Sequence, residues 1–176
     1  NLIVEADSTI FMAESLGFRN TTGMEDGTVS IPLEICNVSN GPLQTITCDI
    51  QYNDSILLLE SATTGSLTSG WIASTGTTNH SMTLTTSESN RAISNSSSGD
   101  ICNLQFRVVG QSDESTTIYP YNINISSSSN LQGTALSKSG IFTVNSSGNH
   151  NVYDLNENCI IEISEISAAV DDFLNG

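Results

Sequence analysis

Close to its C-terminus the chain reads Asp154-Leu155-Asn156-Glu157-Asn158-Cys159-Ile160-Ile161-Glu162-Ile163-Ser164-Glu165. Counted from Asp154 as position 1, oxygen-bearing side chains fall at positions 1, 3, 5, 9 and 12, as Asp154, Asn156, Asn158, Glu162 and Glu165. A hard cation such as calcium gathers carboxylate, amide and backbone oxygens at this spacing in a twelve-residue loop. Ile160 at position 7 would lend its carbonyl, Ile161 would be the apolar plug, and Glu165 would close the site with both carboxylate oxygens. Position 6, a sharp turn that favours Gly, holds Cys159 instead. The competing reading is a polar loop that caps a helix without metal.

Such a loop needs elements to hold it. After it, Ile163, Ile166, Val170 and Phe173 recur at helical spacing, Ala168 and Ala169 support a helix, and Asn175-Gly176 ends it. One loop and three helical turns cannot bury that apolar face alone, so the segment 153–176 must dock on something. Residues 146–152 read as a polar, Gly-containing linker.

Residues 1–145 carry a different pattern, short apolar-alternating runs broken by turn residues. The expected strands are Leu2–Ala6, Thr28–Val38, Leu43–Tyr52, Gly70–Ser74, Ser81–Thr86, Asp100–Val109, Thr117–Ile125 and Gly140–Val144. With no long helical pattern between them, they indicate an all-β antiparallel sandwich. In Leu43–Tyr52 the alternation puts Ile46, Cys48, Ile50 and Tyr52 on one face. Leu43, Thr45, Thr47, Asp49 and Gln51 share the other. In Asp100–Val109 the inward set is Cys102, Leu104, Phe106 and Val108; in Thr28–Val38 it is Ile31, Leu33 and Ile35, with Cys36 outside.

The four cysteines have no C-x-x-C spacing, which argues against zinc. Cys48 and Cys102 both point at the core and either pair or pack as buried thiols. A bond between Cys36 and Cys159 would tie the C-terminal segment to a sandwich, its own or a neighbour's.

Composition narrows the function classes. Four basic residues against nineteen acidic ones give a formal charge of −15, a surface that a phosphate backbone repels, so nucleic acid is excluded as a partner. No run of eighteen apolar residues exists to span a membrane. The opening Asn1-Leu2-Ile3-Val4 is what a processed, exported chain would show. Sequons at Asn20, Asn37, Asn53, Asn79, Asn95, Asn124 and Asn145 are compatible with export and N-glycosylation. Catalysis is not expected. The two histidines, His80 and His150, sit in polar stretches, and Ser is too common for a Ser/His/Asp set to carry information. Trp71, the single tryptophan, reads as a core residue rather than a sugar platform.

Three stretches resemble the cohesin family. Gly27-Thr28-Val29-Ser30-Ile31-Pro32-Leu33 is similar to its early strand. Thr47-Cys48-Asp49-Ile50-Gln51-Tyr52-Asn53-Asp54-Ser55-Ile56-Leu57 is similar to its third strand and the bend after it. Gly99-Asp100-Ile101-Cys102-Asn103-Leu104-Gln105-Phe106 is similar to the strand before its last third. The resemblance implies a nine-stranded, flattened jelly-roll sandwich over residues 1–145, without catalytic activity, that binds dockerins through one sheet face. An outward carboxylate on the third strand contacts the dockerin in that family, and Asp49 matches it, with Thr47 and Gln51 beside it. Residues 154–176 in turn resemble one dockerin repeat, where two are usual. Ser164, Ile166, Val170 and Phe173 fall in the region that dockerins use for recognition.

A receptor-like sandwich and a ligand-like tail on one chain can join head to tail, and a heterologous contact of that kind gives rings or open filaments. The expectation is therefore an extracellular or cell-surface assembly protein that binds itself as a head-to-tail homopolymer, or another cohesin/dockerin-type protein. In one variant the segment Asn1–Ala13 is donated as a strand to a neighbouring sheet. The alternative is a monomeric adhesion or scaffold module with the calcium segment on its own sandwich.

Overall fold

The computed structural model describes residues 9–76 and 80–146. It contains β1 (Phe11–Gly17), β2 (Thr21–Met24), β3 (Thr28–Val38), β4 (Leu43–Gln51), β5 (Leu57–Thr64), β6 (Ile72–Thr75), β7 (Ser81–Thr85), β8 (Gly99–Val108), β9 (Ser115–Ser127), β10 (Gln132–Lys138) and β11 (Gly140–Asn145). Single 3-10 turns at Ser66–Thr68 and Ser89–Arg91 are the helical elements among the described residues. The expected strand Leu2–Ala6 and everything from residue 147 onward lie outside them. The sandwich unit ends at Asn145, and a second unit takes Ser146–Gly176.

Strand order runs β5-β8-β3-β1-β10-β9-β4-β7-β6. One layer is β5-β8-β3-β1, the other β10-β9-β4-β7-β6, and the parallel β1–β10 pairing joins them. β11 pairs antiparallel with the first half of β9 and parallel with β2. Between the layers lies the core. From the first layer come Ile31, Leu33, Ile35, Leu104 and Phe106, and from the second Ile46, Cys48, Ile50, Met82, Leu84 and Ile125, with Phe18 and Phe142 closing the seam. The expected inward sets of β3, β4 and β8 are all buried, since a pleated strand with one wet face must alternate.

Several elements depart from that alternation. Leu43, expected on the outward face of β4, is fully buried. Its register explains why: Leu43 pairs with Ser127 and Thr45 with Ser126, so Gln44 is an extra residue that rotates Leu43 inward. In β8, Leu33 pairs with Cys102 and Glu34 with Asp100, which leaves Ile101 as the extra residue and buries Ile101 and Cys102 in succession.

The sequence pattern also missed β1, β2, β5 and β10. In β1, Met12 and Ala13 are both fully buried next to an irregular register, so no period of two is visible. Phe11–Ala13 belong to this strand, and Ala13 pairs with Val38 of β3, which removes them from any donated segment. Gly17 ends β1 against β10, where a Cβ would run into the Lys138 carbonyl.

Candidate functional site

The outward face of the second layer is built around β4. Thr45, Thr47 and Asp49 point out half-buried, and Gln51 is exposed. The first three have partners on both sides and Gln51 on one. Thr45 lies opposite Thr85 and Ser126, Thr47 opposite Thr83 and Asn124, Asp49 opposite Ser81 and Tyr121, and Gln51 opposite Tyr119. Side chains that share a face in this way form a continuous surface. The threonines knit it together, with 3.4 Å between the Thr45 and Thr85 hydroxyls and 3.4 Å from the Thr47 hydroxyl to the Asn124 carbonyl it donates to. Ile72 of β6, paired with Thr85 and 68% exposed, supplies an apolar rim on one side. Tyr119 and Tyr121 supply an aromatic one on the other, ring centroids 6.4 Å apart.

Asp49 is the one charged residue in β4, β6, β7 and β9. Its position is set by a second bulge. Thr47 pairs with Asn124 and Asp49 with Tyr121, so β9 advances three residues while β4 advances two. Asn122 adopts the left-handed conformation, φ 50°, that Asn tolerates better than most residues. Its amide Nδ2 donates to Asp49 Oδ2 at 2.8 Å. One carboxylate oxygen is thereby anchored, and the face offers a single aimed negative charge on a bed of hydroxyls and amides.

Past the end of β4, Tyr52 turns into the core on the opposite face and meets His80. Their rings stack with centroids 4.4 Å apart, and His80 Nε2 lies 3.4 Å from Asp54 Oδ1. Burial, helped by the Asp54 carboxylate, pushes the Tyr52 hydroxyl up to about 12, and that hydroxyl has no partner among the described residues.

The remaining expected site residues fall as follows. Cys48 and Cys102 are buried free thiols. Burial first, and each other's proximity in the case of Cys48, raises Cys48 to about 12; burial alone raises Cys102 to about 12. Cys36 is exposed, has no disulfide partner among the described residues, and has the Ser98 hydroxyl 4.0 Å from its sulfur. Trp71 is buried, its indole N–H donating to the Arg91 carbonyl at 2.8 Å. Asn20, Asn37, Asn53, Asn95, Asn124 and Asn145 are all exposed. The calcium-loop residues Asp154, Asn156, Asn158, Ile160, Glu162 and Glu165, the recognition residues Ser164, Ile166, Val170 and Phe173, and Cys159, Asn79 and His150 lie outside the described residues. Among the described residues no cluster of three or more His, Cys, Asp or Glu could hold a metal, and no helix is long and apolar enough to cross a membrane.

Tyr119, Tyr121, Asn122 and Ile72 were not singled out from the sequence. A signal for the bulge was present. Ile118 and Ile125 are an odd number of residues apart, yet both are buried, which an unbroken strand cannot arrange.

The model of the cohesin domain matches residues 16–140, more than half of the chain. The chain belongs to the cohesin family. Solved cohesins share its fold at low identity. A non-cellulosomal cohesin from the archaeon Archaeoglobus fulgidus is 17% identical with a TM-score of 0.61, over 75% of this chain and 91% of that one. The sixth cohesin of Acetivibrio cellulolyticus scaffoldin B, solved in complex with a Cel5 dockerin mutant, is 16% identical with a TM-score of 0.63, over 75% and 99%. The OlpC cohesin of Clostridium thermocellum, solved in a type I cohesin–dockerin complex, is 14% identical with a TM-score of 0.62, over 81% and 99%. A search of curated proteins found no match.

Proposed function

We propose that this cohesin domain is a non-catalytic docking module, and that its β6-β7-β4-β9 face receives a dockerin-type helix. The observation that carries the reading is the Asp49 carboxylate, alone on its face and anchored by Asn122 at 2.8 Å. A sheet surface of hydroxyls and amides with apolar rims at Ile72 and Tyr119 offers a helix both hydrogen bonds and contact area. Thr47 and Gln51 flank the carboxylate and complete the contact.

The occupant we favour is the C-terminal segment of a neighbouring copy, which gives a head-to-tail assembly outside the cell or at its surface. Asp154, Asn156, Asn158, Ile160, Glu162 and Glu165 would hold calcium, and Ser164, Ile166, Val170 and Phe173 would present the helix. Calcium would neutralise part of an acidic segment as well as order it. Six of the chain's nineteen carboxylates and none of its four basic residues lie in residues 146–176. A tail of that charge is repelled by a sandwich that is itself acidic unless a cation intervenes.

Sedimentation of the full chain with calcium and with chelator tests this. Concentration-dependent association that chelator reverses is expected, and Asp49→Lys is expected to weaken it. A chain that stays monomeric at high concentration with calcium refutes the homotypic assembly. Unchanged association of Asp49→Lys moves the contact to another face.

A further inference from the structure

The sequons divide into two groups once their side chains are placed. Asn20 Oδ1 accepts the Ile141 N–H at 2.9 Å, and Asn95 Oδ1 accepts the Gly41 N–H at 2.6 Å. Asn53 Oδ1 accepts the Ser55 N–H at 3.0 Å and its hydroxyl at 2.8 Å. Holding the backbone explains an asparagine at each of these three positions. Asn124 has no such duty. Its carbonyl is used by Thr47, but its side-chain amide has no hydrogen-bond partner among the described residues, and the residue is exposed. Its sequon, Asn124-Ile125-Ser126, runs along β9 with Ile125 buried and both Asn124 and Ser126 on the outward face.

We propose that Asn124 is an N-glycan acceptor, and that a glycan there closes the β6-β7-β4-β9 face to its partner. The inference rests on the docking face proposed above. Asn124 sits directly opposite Thr47, which is itself opposite Thr83, and Asp49 follows two residues along the same face. Cross-strand neighbours stand about 5 Å apart and diagonal ones about 7–8 Å, so a sugar on Asn124 Nδ2 projects over Thr47 and Asp49. A flat face binds through close contact, and a bulky, solvated oligosaccharide beside Thr47 and reaching over Asp49 prevents that contact.

In the transfer, a bond forms between Asn124 Nδ2 and the anomeric carbon of a lipid-pyrophosphate-linked oligosaccharide. The bond from that carbon to the pyrophosphate oxygen breaks with its electron pair, and the amide nitrogen loses one proton. Asn37 provides the contrast. It lies on β3 in the other layer, where a glycan leaves the docking face open.

The test uses the full chain expressed through a eukaryotic secretory pathway, with Thr83→Cys as a reporter in a Cys36→Ser, Cys159→Ser background. Peptide mass spectrometry is expected to find sugar on Asn124; an unmodified Asn124 peptide overturns the acceptor assignment. Labelling of the reporter by a polyethylene-glycol maleimide is expected to be several-fold slower than in the same chain carrying Ser126→Ala, which abolishes the sequon and keeps Asn124. Removing the Asn37 sequon with Ser39→Ala is expected to leave the rate unchanged. Equal rates with and without the Asn124 glycan overturn the closure. Labelling is done on dilute chain in chelator, which keeps a neighbour's tail off the face, so a failed docking assay and a failed glycan gate are separate results.

Discussion

Replacing Asn122 separates what this residue does for the fold from what it does for the face. Its bond to Asp49 is 2.8 Å long. A hydrogen bond to a charged acceptor contributes about 1.5–3 kcal/mol when shielded. Asn122 is exposed and Asp49 only half-buried, so solvent screening lowers that to roughly 0.5–1 kcal/mol. The left-handed backbone at φ 50° costs an L residue about 1–2 kcal/mol, less for Asn and nothing for Gly. Asn122→Gly therefore loses the bond and recovers a similar amount of strain, leaving stability within about 0.5 kcal/mol of wild type. Asn122→Val loses the bond and adds β-branched strain, a total of about 1.5–3 kcal/mol and a fall in Tm of roughly 5–10 °C. Docking should respond differently. Both variants release the Asp49 carboxylate from its anchor, and each should weaken calcium-dependent self-association about fivefold, near 1 kcal/mol. Calorimetric Tm and sedimentation on the same samples make the comparison. The reasoning fails if Asn122→Gly associates as wild type does, or if Asn122→Val melts no earlier than Asn122→Gly.

Other consequences follow from the same structure. The folded state keeps Cys48 and Cys102 neutral up to about 12, whereas an unfolded thiol ionises near 9.0. Stability is thus lost as pH rises from about 9 towards 12, by about 1.4 kcal/mol per pH unit for each thiol, and Cys48→Ala should flatten that slope in denaturant titrations. Gly17→Ala drives a methyl into the Lys138 carbonyl where β1 meets β10, and should cost on the order of 2–4 kcal/mol, visible as a lower denaturation midpoint. Asp154→Ala with Glu165→Ala should abolish calcium binding in a titration calorimeter, and wild-type binding by the double variant would remove the loop as the site. Because the tail and the sandwich are both acidic, association in calcium should strengthen as salt rises from low to physiological levels, measured by sedimentation; a monotonic weakening would mean that an attractive ion pair dominates instead.

Local pattern and chain-distant pairing contributed separately to this protein. The period of two in Thr28–Val38, Leu43–Tyr52 and Asp100–Val109 was enough to place Ile31, Leu33, Ile46, Cys48, Leu104 and Phe106 in the core and Thr47 and Asp49 outside it, because a half-buried strand must alternate. Composition argued against a nucleic-acid partner, and motif resemblance was enough to suggest the family. Neither could find β5, an edge strand whose run Leu57-Leu58-Leu59-Glu60-Ser61 carries no alternation, nor β1, where two neighbouring residues turn inward together.

Tertiary structure decided the extra residues. Gln44, Ile101 and Asn122 become bulges only when the partner strand is in register, since nothing in a single strand says which of its residues goes unpaired. The face depends on one of them. Alternation alone turns Asp49 outward, but it is the bulge in β9, seventy-three residues away in sequence, that brings the Asn122 amide to its carboxylate. The charge on the face was written locally; its aim came from the pairing of distant strands.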